Sequence, residues 1–298
     1  MRSRLAVAVL AAVAALAASS PALADYGWPI APFDRPHPIR AFFDDPRIAH
    51  GERSFHFGVD IVAPDGTPVY AVAPGVVFLH MDGLAVASPN GDHVFGYWHV
   101  LPMVGAGQRV SAHQLLGYVK SPWGHVHFAE RVRGTYVNPL RPGALTPFLD
   151  TTSPTIQGVA FSRADQPAPS TAVSGSVDVA VDAYDPPPLP LPAPWSHAIF
   201  TPALLRWRIL TADGSSQITD WQTAADFRDA LIPAADFDSI YAPETRQNRA
   251  GEQGYYRFYL LRDWQSGSLP DGVYQLEVLA SDTSGNAVTA TVPFSIDN

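Results

Sequence analysis

His56 and Asp60 stand four residues apart in His56-Phe57-Gly58-Val59-Asp60, and His125 and His127 stand two apart in His125-Val126-His127-Phe128. Imidazole nitrogen and carboxylate oxygen are ordinary donors to a metal such as zinc, provided they converge to ~2 Å from one point. On a straight strand, positions four apart are separated by ~13 Å, too far to share one ion. A helix would bring them together. Gly58 and the run Ile61-Val62-Ala63-Pro64 oppose a helix at this place. What remains is a bend at Gly58 feeding a strand that begins near Asp60. A His and an Asp at this spacing are, alone, a weak signal.

In a strand, His125 and His127 project from one face, ~6.6 Å apart along the chain, while Val126 and Phe128 pack on the other. Such a pair can place one imidazole on a metal and the other beside a metal-bound water; spacing does not say which does which. A further histidine, His99, ends the strand-like stretch Gly96-Tyr97-Trp98-His99-Val100.

Nine of the ten histidines lie between His37 and His127, so imidazole chemistry belongs to the first half of the chain. That half reads as β structure with tight turns at Asp65-Gly66, Pro74-Gly75 and Asn90-Gly91. Strands are predicted at Leu115 to Lys120 and Gly124 to Val132, with no helical periodicity between Asp25 and Leu140, giving an antiparallel sheet.

Around residues 147–154 (PFLDTTSP) the pattern breaks and a second unit begins. Val177, Val179 and Val181 alternate on one face. So do Tyr274, Leu276, Val278 and Ala280, and then Val288, Ala290, Val292, Phe294 and Ile296, with a turn at Ser284-Gly285-Asn286 between them. This predicts an antiparallel, immunoglobulin-like β-sandwich. The proline-rich segment 185–194 (DPPPLPLPAP) cannot enter a central strand and is expected to be a stiff exposed loop.

The first half resembles the lysostaphin/LytM-type family of zinc endopeptidases that cut bacterial peptidoglycan. FHFGVDIVAPDGTPVYAVAPGVV, YWHV, GQRVSAHQLLGYV, HVHFAE and VNPL carry the resemblance, from about Phe42 to Leu140. It implies one catalytic Zn²⁺ held by His56, Asp60 and His127. His125 and His99 would flank the open coordination position, His125 assisting proton transfer and His99 donating to a developing oxyanion. The family commonly has a glutamate two residues beyond the last histidine; Ala129 stands there, with Glu130 next. A contact that orients the site is therefore missing or rebuilt.

The expected organisation is a signal peptide at 1–24, a LytM-type zinc peptidase domain at 25–150 and a sandwich at 151–298. Arg2 and Arg4 precede an apolar run of about 14 residues from Leu5 to Ala18 and the small-residue site Ala22-Leu23-Ala24. That run is shorter than the ~20 residues of a membrane span. Cleavage near Ala24 would give a secreted or periplasmic/cell-envelope protein with no membrane anchor. A formal net charge of −9 and a single lysine, Lys120, speak against a nucleic-acid partner. Without cysteine, stability must come from packing and bound metal. The expected partners are peptidoglycan peptides, with that of the C-terminal domain open; the competing class is a non-catalytic wall-binding or regulatory scaffold.

Other residues carry weaker expectations. His37, His50, His80, His93 and His113 match no family position and read as surface histidines. Arg47 could hold a substrate carboxylate or pair with its acidic neighbours Asp44 and Asp45. Asp178, Asp182, Asp185 and Asp282 are calcium candidates without EF-hand spacing, and solvated strand-edge acids are the simpler reading.

Overall fold

The alternation of apolar residues in both halves is realised as strands in a computed structural model, which describes residues 25–163 and 170–298. The expected signal peptide lies outside the described residues. No helix among them is long and apolar enough to cross a membrane.

Thirteen strands build the first unit: β1 (Ile39–Ala41), β2 (Pro46–Ala49), β3 (Glu52–Phe55), β4 (Val59–Val62), β5 (Pro68–Tyr70), β6 (Gly75–His80) and β7 (Gly83–Ala87), then β8 (His93–Trp98), β9 (Val100–Pro102), β10 (Arg109–Val110), β11 (Leu115–Val119), β12 (His125–Val132) and β13 (Thr135–Val137). The large antiparallel sheet runs β1-β4-β12-β8-β7-β6-β10, with β13 paired to β12. A small separate sheet runs β5-β11-β9, and its Val69, Val100 and Leu116 are buried in the same core. Val126 and Phe128, both fully buried, point from β12 into a core that includes Trp28, Ile61, Val77, Phe95 and Tyr97. The opposite face of β12 is left for His125, His127 and Ala129, as period-2 alternation requires.

The second unit has β14 (Thr155–Ser162), β15 (Ala172–Val173), β16 (Ser176–Tyr184), β17 (Leu204–Thr211), β18 (Gln222–Asp226), a single α-helical turn α1 (Phe237–Ile240), β19 (Arg257–Gln265), β20 (Gly272–Ser281) and β21 (Ala287–Ile296). Its sheets run β14-β16-β19 and β15-β21-β20-β17-β18. Val177, Val179, Val181, Leu276, Val278, Ala280, Phe294 and Ile296 meet in one core.

The proline-rich segment departs from expectation. Prolines do keep it out of the sheets, but it is not simply exposed. Within the segment Leu191 is buried in the first unit's core, as are Ala198 and Phe200 just beyond it. Phe200 stacks on Phe42 at 4.2 Å between ring centroids. In return, Phe55 from β3 is buried in the second unit's core. Polar contacts lock the same seam: Thr201 N donates to Asp45 Oδ1 (2.9 Å) and Tyr241 Oη to the Asp44 carbonyl (3.0 Å). Leu191 and Phe200 are apolar and need cover, and the neighbouring unit supplies it.

Candidate metal centre

The ladder between β4 and β12 sets His127 opposite Asp60 and His125 opposite Val62. His56 arrives from the bend before β4. A side chain at Gly58 would strike the Phe128 carbonyl and come within 3.0 Å of the His127 ring, so the bend requires glycine for close approach. The result is a triangle of donors. His56 Nε2 lies 2.8 Å from His127 Nδ1, His127 Nδ1 lies 3.0 Å from Asp60 Oδ1, and His56 Nε2 lies 3.1 Å from Asp60 Oδ1. Tetrahedral ligands on a metal at ~2 Å sit roughly 3.3 Å apart. His56, Asp60 and His127 are all buried and can hold a metal ion.

Neighbouring groups set the donor atoms. His56 Nδ1 lies 2.7 Å from the Phe42 carbonyl. That carbonyl can only accept, so Nδ1 carries the proton and Nε2 offers its lone pair to the triangle. Nε2 and the Asp60 carboxylate are then two acceptors in close contact, an arrangement that a cation between them relieves. Arg47 holds the other carboxylate oxygen, Oδ2, at 3.4 Å, and Arg40 Nε is 3.8 Å from it. The ion pair of Arg47 is with Asp60, a partner outside both sequence alternatives, and not with Asp44 or Asp45.

Charge states suit the same end. Burial, aided by the Arg47 charge, lowers the His56 pKa to about 3, leaving the ring neutral. Burial pushes the Asp60 carboxyl up, but the surrounding imidazoles outweigh it and hold the group well below the usual carboxylate range.

His125 and His99 flank the triangle. His125 Nδ1 donates to the Trp123 carbonyl (2.8 Å), so its Nε2 faces Asp60 Oδ1 at 3.6 Å and accepts from Arg40 at 3.2 Å. Burial lowers its pKa to about 4; Asp60 opposes that shift and Arg40 adds to it. His99 adopts a left-handed backbone, φ 62°, at the end of β8. Its ring stacks on Trp123 at 3.7 Å and lies 4.6 Å from the His125 ring, while Nδ1 sits 2.5 Å from Asp82 Oδ2. Burial lowers its pKa and Asp82 resists.

Ala129 lies on the metal face, opposite Gly96. Glu130 does not replace the missing carboxylate. It points to the other face, fully buried, where it accepts from Tyr26 Oη (2.7 Å) and Arg141 (2.6 and 3.0 Å) and pairs with His93 Nδ1 (2.9 Å). Ala129 instead floors a trough of about 740 Å³ together with Ala85, Ala87 and Gly96, walled by Phe78, Met81, Trp98 and Tyr136. Trp98 joins trough and triangle, its ring 5.0 Å from that of His127. His80 also lines the trough and so departs from a plain surface role.

Sequence reasoning missed Arg40, Asp82, Trp123 and Trp195. Arg40 lies against the Trp195 ring at 4.4 Å, so a residue of the second unit braces a guanidinium beside the site. Their positions come from tertiary packing and carry no motif.

Residues 54–139 match the model of Peptidase family M23. A "DD-carboxypeptidase/endopeptidase Mpg" of Neisseria meningitidis serogroup B is 31% identical over 104 residues, covering 32% of this chain and 24% of that protein. The Neisseria gonorrhoeae protein of that name matches equally. The chain thus spans about a quarter of the length of these relatives. A zinc-containing peptidase from Vibrio cholerae is 26% identical with a TM-score of 0.33, covering 39% of each chain. The catalytic domain of lysostaphin from Staphylococcus simulans is 25% identical with a TM-score of 0.29, covering 34% of this chain and 86% of that one. Residues 54–139, which hold His56, Asp60, His99, His125 and His127, thus match peptidase family M23, the family of lysostaphin/LytM type.

Proposed function

We propose that the chain is a secreted zinc metalloendopeptidase that hydrolyses peptide bonds of bacterial peptidoglycan, with His56, Asp60 and His127 as zinc ligands. The observation that carries this reading is the buried triangle of His56 Nε2, Asp60 Oδ1 and His127 Nδ1, all within 3.1 Å of one another. Two imidazoles and one carboxylate are the usual protein ligands of a hydrolytic zinc site, which keeps a fourth position open. Zinc bound there supplies Lewis acidity toward a peptide carbonyl and an acidified water.

The protein's own groups do the rest. His125, with Nδ1 committed to the Trp123 carbonyl, can accept a proton only at Nε2 and return it there to the leaving amine. His99, stacked on Trp123 beside the His125 ring, donates from Nε2 to a developing oxyanion only when its ring is protonated, a state that Asp82 favours and burial opposes. Arg47 and Arg40 orient Asp60 through its Oδ2. The trough beside Trp98, with its floor of alanine and glycine, admits an extended peptide backbone close to the sheet.

We read residues 25–150 as the peptidase domain and 151–298 as an immunoglobulin-like sandwich, supported by the β14-β16-β19 and β15-β21-β20-β17-β18 strand orders. Export follows from the leader-like 1–24 segment of the sequence. A scaffold that had lost catalysis would have no need to keep all three donors and both flanking histidines. The test is digestion of muropeptides of several cross-link types by purified protein, with zinc and with chelator. Zinc-dependent release of peptide fragments is expected; intact muropeptides with a zinc-loaded protein would reject the reading.

A further inference from the structure

A second cluster of acids lies far from the histidines. Asp150, Asp185 and Asp282 are all buried, and one carboxylate oxygen from each lies within 4.8 Å of the others. They come from three places: the connection between the two units, the end of the strand pairing that follows β16, and the turn between β20 and β21. Part of the cluster is already satisfied. Asp150 Oδ1 accepts from Thr152 N and Oγ1 at 2.9 and 2.6 Å. Asp282 accepts from Asn286 N at 2.8 Å and Nδ2 at 2.6 Å, and the same Nδ2 donates to the Asp150 carbonyl at 2.9 Å.

Two oxygens are left over. Asp150 Oδ2 and Asp185 Oδ1 are buried and accept no hydrogen bond, although Asp185 is only 1% exposed and Asp150 8%. Among the described residues no lysine, arginine or histidine forms an ion pair with any of the three. Burying three carboxyls together with open lone pairs and no cation is costly. An ion that bridges oxygens at about 2.4 Å fits such a cluster, and a donor set of oxygen alone selects a hard cation over zinc. Asp178 and Asp182 take other partners: Asp178 accepts from Asp263 N and Asp182 pairs with Arg257.

We propose that Asp150, Asp185 and Asp282 bind one calcium ion, which fastens the connection between the units to the segment leading to Phe200 and to the β20–β21 turn. Waters and nearby carbonyls would complete the shell of 6–8 oxygens that calcium takes. Asp185 hydrogen-bonds through its backbone to Phe200 in both directions (2.8 and 2.9 Å), so the ion would brace the stack of Phe200 on Phe42.

The experiment is calorimetric titration of the zinc-loaded chain with calcium, paired with thermal melting. One site per chain is expected, with a Tm rise of about 5 °C or more once calcium is 100-fold above Kd. Magnesium, which gives up its waters reluctantly, should shift Tm less at equal concentration. Asp185→Asn keeps the shape of the side chain and removes a crowded charge; it should fold, keep its zinc and bind calcium at least tenfold more weakly. Asp150→Asn should behave alike. Neither heat nor Tm shift up to ~10 mM calcium would overturn the proposal. So would an undiminished response in both variants, whatever the peptidase assay gives.

Discussion

His127 faces Asp60 directly across the β4–β12 ladder, and their side chains close to 3.0 Å between Nδ1 and Oδ1. One register pair thus fixes two of the three donors, and the bend at Gly58 brings the third. Roles within the site can be separated by experiment.

Asp60→Asn and His127→Ala are expected to reduce bound zinc from one per chain to near zero. His125→Ala and His99→Ala should keep zinc and lower kcat by about 10²–10⁴-fold, the usual contribution of a positioned acid or base. Metal analysis beside muropeptide hydrolysis distinguishes the two classes. Loss of zinc from His125→Ala would refute its assignment.

Gly58→Ala adds a methyl group against the Phe128 carbonyl and the His127 ring. The strand or the imidazole must shift, costing about 1–3 kcal/mol of stability. Zinc affinity should fall at least tenfold as the ligand moves off line. Denaturant unfolding and competition with a zinc chelator measure these separately.

Phe200→Ala removes the ring stacked on Phe42 and opens the first unit's core. A loss of about 3–5 kcal/mol is expected, in line with buried aromatic truncations. Both units should unfold in one transition at a lowered midpoint, as read by far-ultraviolet circular dichroism and tryptophan fluorescence together.

Stability in calcium-free buffer should fall from pH 7 to pH 9. Burial, with Asp150, Asp282 and Asp45 nearby, raises the Asp185 pKa to about 9. An unfolded aspartate titrates near ~3.9, so between these values the folded chain holds a proton that the unfolded chain lacks. The stabilisation is complete below the unfolded value and is lost as pH rises through the folded one, at about 1.4 kcal/mol per pH unit for each such proton. Asp44, raised to about 8 by burial, and Asp45, raised to about 7, act in the same direction. Asp185→Asn should therefore flatten the slope of Tm against pH without abolishing it.

The motif residues could be found in the sequence because each lies on a local element with a fixed period. HVHF alternates as a strand must, and Gly58 marks the bend. The strands of the second unit could be read in the same way from Val177, Val179 and Val181. Arg40, Asp82, Trp123 and Trp195 could not, since each reaches the site through contacts between distant segments. The proline-rich segment misled for a related reason. Proline predicts absence from a sheet, but not that Leu191 among them will be buried. Asp185 and Asp282 stood out as acids, while Asp150, which joins them, lies in a connection without periodicity.

Phe42, two residues before Asp44, borrows its cover from Phe200, and Phe55 pays the debt in the opposite direction. The halves are thus not beads on a string that can be traded freely. A chain cut after Asp150 would present a bare aromatic face to water and tend to aggregate. Any transplant that gives the first unit a different companion must bring an aromatic ring of its own to lay against Phe42.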